Sequence, residues 1–301
     1  MKPKLATVVL GGCTGCHLSL LDLHERLVDL LGAVDLVRSP LTDAEEIPPC
    51  DIVVVEGAVG TVLDEETVRD ARAKAETLVA MGACATLGGV GGLRNVLDTA
   101  DVLARAYGDG RGPLASDEGA DRAIPALNPL VRPVSAVVDV DVEVPGCSPL
   151  PDMLFDALVA AVEGRPFEAP RRTLCAQCGR RHESMLQHDS GFVADAVYGV
   201  MELDAIDPDL CLLEQGVICM GPVTREGCGA RCTEANIPCR GCMGPGRKEF
   251  EQGAKMVDTL AAILPAGAIM FLDDLIGTGY RFGLPSSVLP ASVGRGGGGD
   301  E

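Results

Sequence analysis

Thirteen cysteines are spread through 301 residues, and the places where they fall constrain the fold more than any other feature. Two stand three positions apart in "GGCTGCH" (11–17), directly after the apolar run "LATVVL" (5–10). Cys84 follows "TLVAMGA", and Cys147 follows "VEVPG". These runs are short, apolar and bounded by glycine, as buried strands are. The segments between them alternate with helical patterns. "HLSLLDLHERLVDLL" (17–31) sets Leu18, Leu21, Val28 and Leu31 at helical spacings and predicts one amphipathic helix. "DIVVVEG" (51–57) predicts a strand, and "DEETVRDARAKA" (64–75) a helix with acids in its first turn. "VDVDVEVPG" (138–146) reads as a further strand, and "PLPDMLFDALVAAVEG" (149–164) as a helix stopped by Gly164. This alternation predicts an α/β fold: a flavodoxin-like parallel sheet with helices on both faces.

In an open parallel sheet, ligands collect outside the carboxyl ends of the strands. Cys13, Cys16, Cys84 and Cys147 all follow predicted strands, so topology sends four thiols to one edge. Cys50, in "PPCDIVVVE", precedes its strand and belongs at the opposite edge. Four thiolates suit tetrahedral zinc or a 4Fe–4S cluster. Structural zinc generally ties two short Cys-x-x-Cys knuckles in a small fold, whereas one pair plus two distant singletons on a formed sheet favours the cluster. Gly11, Gly12, Gly15, Gly82, Gly88, Gly89 and Gly146 flank the four, allowing close backbone approach and amide donation to sulfur. "GGVGGLRN" (88–95) lacks the GK[ST] of a phosphate loop and reads as a loop shaping the same site.

Near "GRPFEAPRR" (164–172) the alternation stops, which predicts domains at 1–165 and 166–301. Eight cysteines fall between Cys175 and Cys242 among many Gly and Pro. By spacing, "CAQC" (175–178) goes with "CLLEQGVIC" (211–219), and "CGARC" (228–232) with "CRGC" (239–242). Two sets of four suit two more 4Fe–4S clusters, whose binding energy organises an irregular segment. Two zinc ribbons compete with this reading, but no His falls at ligand spacing within Cys211–Cys242. A helix is expected over about 247–264, and a disordered tail from about 293.

Composition narrows the classes of function. The net charge is −19, without a basic cluster to follow a phosphate backbone, which argues against nucleic acid as a partner. Aromatic residues make up 3% of the chain, too few for stacking platforms. No apolar run is long enough for a membrane helix. The start "MKPKLATVVLGG" shows no signal-peptide cleavage pattern and no twin arginine, so a cytoplasmic location is expected, where thiols stay reduced.

Other polar groups fall near the thiols in the chain. His17 and His24 read as packing or capping residues on the amphipathic helix rather than as ligands. Glu56 ends its strand at the functional edge, as a satisfied buried carboxylate or as a group that moves protons or binds a partner amide. Met201, Met220 and Met243 read as packing around the ligands.

Together, "GGCTGCHLSLLDLHE", "GACATLGGVGGLRN", "VPGCSPLPDML", "CLLEQGVICMGPVTREGCGARC" and "IPCRGC" resemble the electron-transferring small subunit of nickel–iron hydrogenases over most of residues 5–245. The likeness is to the cytoplasmic, multimeric branch, and within it to the heterodisulfide-reductase-associated (methyl-viologen-reducing) type. It implies a proximal cluster on Cys13, Cys16, Cys84 and Cys147, a medial one on Cys228, Cys232, Cys239 and Cys242, and a distal one on Cys175, Cys178, Cys211 and Cys219. It implies a separate large subunit bearing the nickel–iron site, and a downstream iron–sulfur or flavin subunit. The chain by itself would then be inactive. Two departures matter: Cys175 and Cys232 replace the distal His and the three-iron pattern of membrane-bound relatives, and the chain continues where NAD-reducing relatives end. The stretch 182–205 reads as an insertion. Rival readings are a structural zinc module, and a quinone-oxidoreductase-type subunit with the proximal cluster only.

Overall fold

The computed structural model describes residues 2–40, 42, 44–108, 125–183, 196–199, 202, 206–246, 251–264 and 274–289. The tail from 293, Met201 and most of the 182–205 stretch lie outside the described residues. The chain divides into two units: Met1–Glu168 together with Phe282–Glu301, and Ala169–Arg281.

The first unit is built on strands β1 (Lys4–Val9), β2 (Asp35–Arg38), β3 (Cys50–Glu56), β5 (Ala75–Met81) and β7 (Val142–Val144). All neighbours are parallel, in the order β2-β1-β3-β5-β7. A short antiparallel pair, β4 (Val59–Thr61) with β6 (Leu127–Arg132), stands apart from it. With that pair set aside, the parallel strands run 2-1-3-4-5 in chain order, the flavodoxin-like doubly wound arrangement. The central strand is buried on both faces: Val53, Val54 and Val55 are each 0 % exposed. Each such valine contributes about 1.5–3 kcal/mol of burial, which is why a run of four β-branched residues sits mid-sheet. The edge strand β2 is short, charged at both ends and half-open, a form that resists pairing with another chain.

The crossover helices follow their local signals. Helix α3 (Val62–Lys74) starts on a capping box in which Thr61 Oγ1 accepts from the Asp64 amide and Asp64 accepts from the Thr61 amide. It ends where Arg72 donates to the carbonyls of Ala75 and Glu76. The helix Pro151–Val162 has Pro at its start, and beyond its end the Arg165 amide bonds back to the Ala160 carbonyl across Gly164. The strand expected over 138–146 narrows to β7, with irregular backbone over 138–141 before it.

One expectation is corrected. Residues 17–31 form two helices, α1 (Gly15–Leu21) and α2 (Glu25–Ala33), with His24 at φ 53° between them. Leu18, Leu21, Val28 and Leu31 face outward, Val28 at 71 % exposure, while Cys16, His17, Ser19, Leu23 and Leu30 are buried. Periodicity identifies an apolar face but not its direction. Here the inward side is set by hydrogen bonds to a buried carboxylate, Glu56.

The second unit, Ala169–Arg281, has little regular structure. Its apolar core joins Leu174, Leu212, Leu213, Val217, Met220 and Met256 to the thiols of Cys211, Cys219 and Cys239. The helix expected over 247–264 is present as Gln252–Ile263, and residues 247–250 lie outside the described residues.

Candidate functional site: two gatherings of thiols

The register of the sheet aligns Val9, Glu56, Met81 and Val144 side by side at the carboxyl ends of four strands. The chain leaves that row through Gly11–Cys16, Gly57, Gly82–Cys84 and Gly146–Cys147. The exits are tied in pairs. Gly11 and Ala58 exchange both backbone hydrogen bonds, and the Ala83 amide donates to the Gly146 carbonyl at 2.7 Å. Cys13, Cys16, Cys84 and Cys147 are thereby brought together. Burial pushes the Cys16 and Cys84 thiols up, Cys84 to about 11, and the charges of the other thiols and of Glu56 push the same way. Burial, Cys13 and Glu56 raise Cys147 likewise. Burial and mutual repulsion thus disfavour ionisation of Cys16, Cys84 and Cys147 unless a positive centre stands among them.

Two glycines make the space. A Cβ on Gly82 (φ +89°) would stand 2.3 Å from Cys16 Sγ, and one on Gly89 (φ +65°) would stand 2.5 Å from Cys84 Sγ. Only a residue without Cβ leaves these sulfurs room. "GGVGGLRN" thus does shape the site, and it has a second role: Pro285 packs on Gly88 and Gly92, while the Gly89 amide donates to the Phe282 carbonyl at 3.0 Å. Sequence reasoning missed this returning segment, because nothing in "YRFGLPSS" indicates what it covers.

Glu56 is 1 % exposed. Its Oε1 accepts the Cys16 amide at 3.2 Å, and its Oε2 accepts the His17 amide at 3.0 Å. His17 Nδ1 lies 2.5 Å from the same Oε2. Burial alone would raise this carboxyl, but the His17 side chain and the two amides outweigh it and hold the group below the usual carboxylate range. Glu56 therefore anchors the first turn of α1 and fixes where Cys16 stands. His17 Nε2 is buried with no hydrogen-bond partner among the described residues. Cys50 begins β3 opposite Ala75, at the other end of the sheet.

In the second unit, Cys175, Cys178, Cys211 and Cys219 gather. Burial first, then the charges of Cys219, Cys211 and Cys178, raise Cys175 to about 12. A Cβ on Gly221 would touch both Cys175 Sγ (3.4 Å) and Cys219 Sγ (3.6 Å). Of the other expected set, Cys239 and Cys242 stand next to this one. The Cys239 amide donates to Cys219 Sγ at 3.3 Å, and burial, Cys219 and Cys242 all raise Cys239. Cys228 packs on the same core, while Cys232 is exposed on the short helix Arg231–Glu234. Met220 and Met243 are buried there. Two further residues escaped sequence reasoning. Gln252 Nε2 donates to Thr224 Oγ1 (3.1 Å) and to the Gly241 carbonyl (3.2 Å), tying the Cys239–Cys242 loop to the turn after Cys219. Arg180 is the second.

Among the described residues, no three His, Cys, Asp or Glu side chains converge closely enough to hold a single metal ion. Within each set the thiols act on one another by charge, and glycines leave room beside the sulfurs. None of the helices in the described residues is long and apolar enough to cross a membrane.

Residues 13–161 match the family model described as "NADH ubiquinone oxidoreductase, 20 Kd subunit". Over 306 residues the chain is 37% identical to a subunit of the F420-non-reducing hydrogenase of Methanothermobacter thermautotrophicus, covering 97% of both chains. It is 42% identical over 173 residues to the delta subunit of the NAD-reducing hydrogenase HoxS of Cupriavidus necator, covering 56% of this chain and 83% of that one. A crystal structure of an NAD+-reducing [NiFe]-hydrogenase superposes with a TM-score of 0.53 at 36% identity, over 56% of this chain and 96% of the other. With its parallel sheet, aligned strand ends and gathered thiols, the chain belongs to the family of nickel–iron hydrogenase small subunits.

Proposed function

We propose that this chain is the electron-relaying subunit of a cytoplasmic nickel–iron hydrogenase and carries three 4Fe–4S clusters. Cys13, Cys16, Cys84 and Cys147 hold the proximal one. Cys228, Cys232, Cys239 and Cys242 hold the medial one, and Cys175, Cys178, Cys211 and Cys219 the distal one. The observation that carries this reading is the gathering of the first four thiols at aligned strand ends, against glycines that leave room only for sulfur. When bound, each cluster supplies reversible one-electron chemistry.

The chain's residues do the rest. Glu56 holds the Cys16 amide and its helix in place. Burial of Cys16, Cys211, Cys219 and Cys239 keeps water from the sulfurs. The bond from the Cys239 amide to Cys219 Sγ supports two neighbouring cages with a short separation for electron transfer. Dihydrogen is split on a separate large subunit, and the chain alone is inactive. The outward apolar residues Leu18 and Leu21, beside Cys13 and Cys16, suit burial under that subunit. Electrons pass on to a downstream iron–sulfur or flavin subunit.

Anaerobic purification with metal analysis and EPR tests the reading. About twelve iron per chain is expected from three four-iron sites. Colourless protein with zinc, or a single four-iron centre, refutes it.

A further inference from the structure

Arg180 is the only arginine or lysine buried among the described residues, at 6 % exposure. Its Nε–H and one Nη2–H donate to the Thr233 carbonyl at 3.1 and 2.9 Å. Nη1 donates to the carbonyls of Asp207 (2.9 Å) and Leu210 (2.8 Å), and the remaining Nη2–H to Asn236 Oδ1. All five N–H groups of the guanidinium are engaged. Every one of these acceptors is a neutral oxygen. Hydrogen bonding is complete, but no carboxylate among the described residues pairs with the charge. A guanidinium cannot discard its proton, and an unbalanced buried charge is costly.

The groups that it holds lead directly to thiols. Leu210 precedes Cys211, Thr233 follows Cys232, and Arg180 itself lies two residues after Cys178. Cys178 Sγ stands 3.4 Å from Thr233 Oγ1. Through the Leu210 carbonyl, which it binds at 2.8 Å, and Thr233, which it binds beside Cys178 Sγ, the guanidinium stands next to this cage of thiols.

We propose that Arg180 is the built-in counter-charge of the cluster held by Cys175, Cys178, Cys211 and Cys219, and that it makes this cluster easier to reduce. The inference rests on the cluster assignment proposed above. Four thiolates outweigh the charge of a four-iron core, so the liganded cluster is an anion and gains one further negative charge on taking an electron. A nearby cation stabilises the reduced form more than the oxidised one.

The test is an EPR-monitored redox titration of the complete hydrogenase complex, with wild-type, Arg180→Gln and Arg180→Lys subunits, and iron analysis of each. At an effective dielectric of about 20, one charge about 12 Å from the cluster changes a one-electron equilibrium on the order of tenfold. In Arg180→Gln the reduced-to-oxidised ratio of one cluster at a given potential should fall by about that factor, a shift of about 59 mV to lower potential for one electron. The proximal signal should stay in place, and Arg180→Lys should follow the wild type. If Arg180→Gln loses the cluster while Arg180→Lys keeps it, charge is again what the cage requires. The proposal is overturned if Arg180→Gln leaves every potential unmoved, or if both variants shift or lose the cluster alike, since either result makes Arg180 a geometric clamp. Failure of the cluster assignment is read separately, from the wild type: a complex whose small subunit holds only four irons removes the distal cluster, and the counter-charge with it.

Discussion

Replacing Gly89 by alanine should empty the proximal site, and Gly164→Ala supplies a matched control. Both glycines have φ +65°, so alanine pays the same left-handed backbone cost at each, roughly 1–2 kcal/mol. Their surroundings differ. At Gly164 nothing lies within 4 Å of the added Cβ; at Gly89 the Cβ meets Cys84 Sγ at 2.5 Å and Cys84 Cα at 2.9 Å. The sulfur belongs to a proposed ligand and the Cα to backbone, so neither can yield without moving Cys84. Overpacking of this kind adds roughly 1–3 kcal/mol, and the expected total at Gly89 is about 2–5 kcal/mol. Purified anaerobically, Gly164→Ala should keep its full iron and lose about 1–2 kcal/mol in denaturant unfolding. Gly89→Ala should lose about four irons per chain together with the proximal EPR signal. Equal iron content and equal stability in the two variants would refute the idea that Gly89 exists to make room for sulfur.

Cys50→Ala should leave the iron content unchanged, because Cys50 starts β3 and stands about 20 Å of strand away from Glu56; loss of iron in that variant would show the edge assignment to be wrong. Gln252→Leu removes the donor shared by Thr224 Oγ1 and the Gly241 carbonyl, and should cost about 1–3 kcal/mol with a weakened hold on the Cys239–Cys242 loop, read by unfolding and by EPR of the second-unit clusters. Burial, reinforced by the hydrogen bond that its hydroxyl donates to Glu251 Oε2, raises Tyr280 to about 12, whereas an unfolded tyrosine titrates near about 10. The fold favours the neutral phenol, so this contribution is full below about pH 10 and is lost as the pH rises to about 12, a loss that Tyr280→Phe should abolish in alkaline unfolding curves.

Much of the first unit was legible because strand and helix signals are local. "DIVVVE" is a continuous β-branched run and became the strand buried on both faces. Thr61 with Asp64 and the stop at Gly164 set helix ends through bonds only a few residues long. Leu18, Leu21, Val28 and Leu31 misled for a physical reason. Hydropathy records that a face is apolar, while the direction of α1 is set by a carboxylate 39 residues further along the chain. The second unit offered spacing but no period, so Arg180 and Gln252 drew no notice. Their importance lies in what surrounds them, a shell of neutral acceptors in one case and two loops joined in the other.

The order of residues alone determined a parallel α/β sheet, sent Cys13, Cys16, Cys84 and Cys147 to one edge, and set Cys50 apart, because in such a sheet every strand points the same way and its exits share one side. Only the tertiary structure decided which groups surround those thiols. Pro285 on the glycine loop, Glu56 beneath α1 and Arg180 among its carbonyls come together over tens or hundreds of residues. Burial and charge balance are properties of such neighbourhoods, and folding alone creates them.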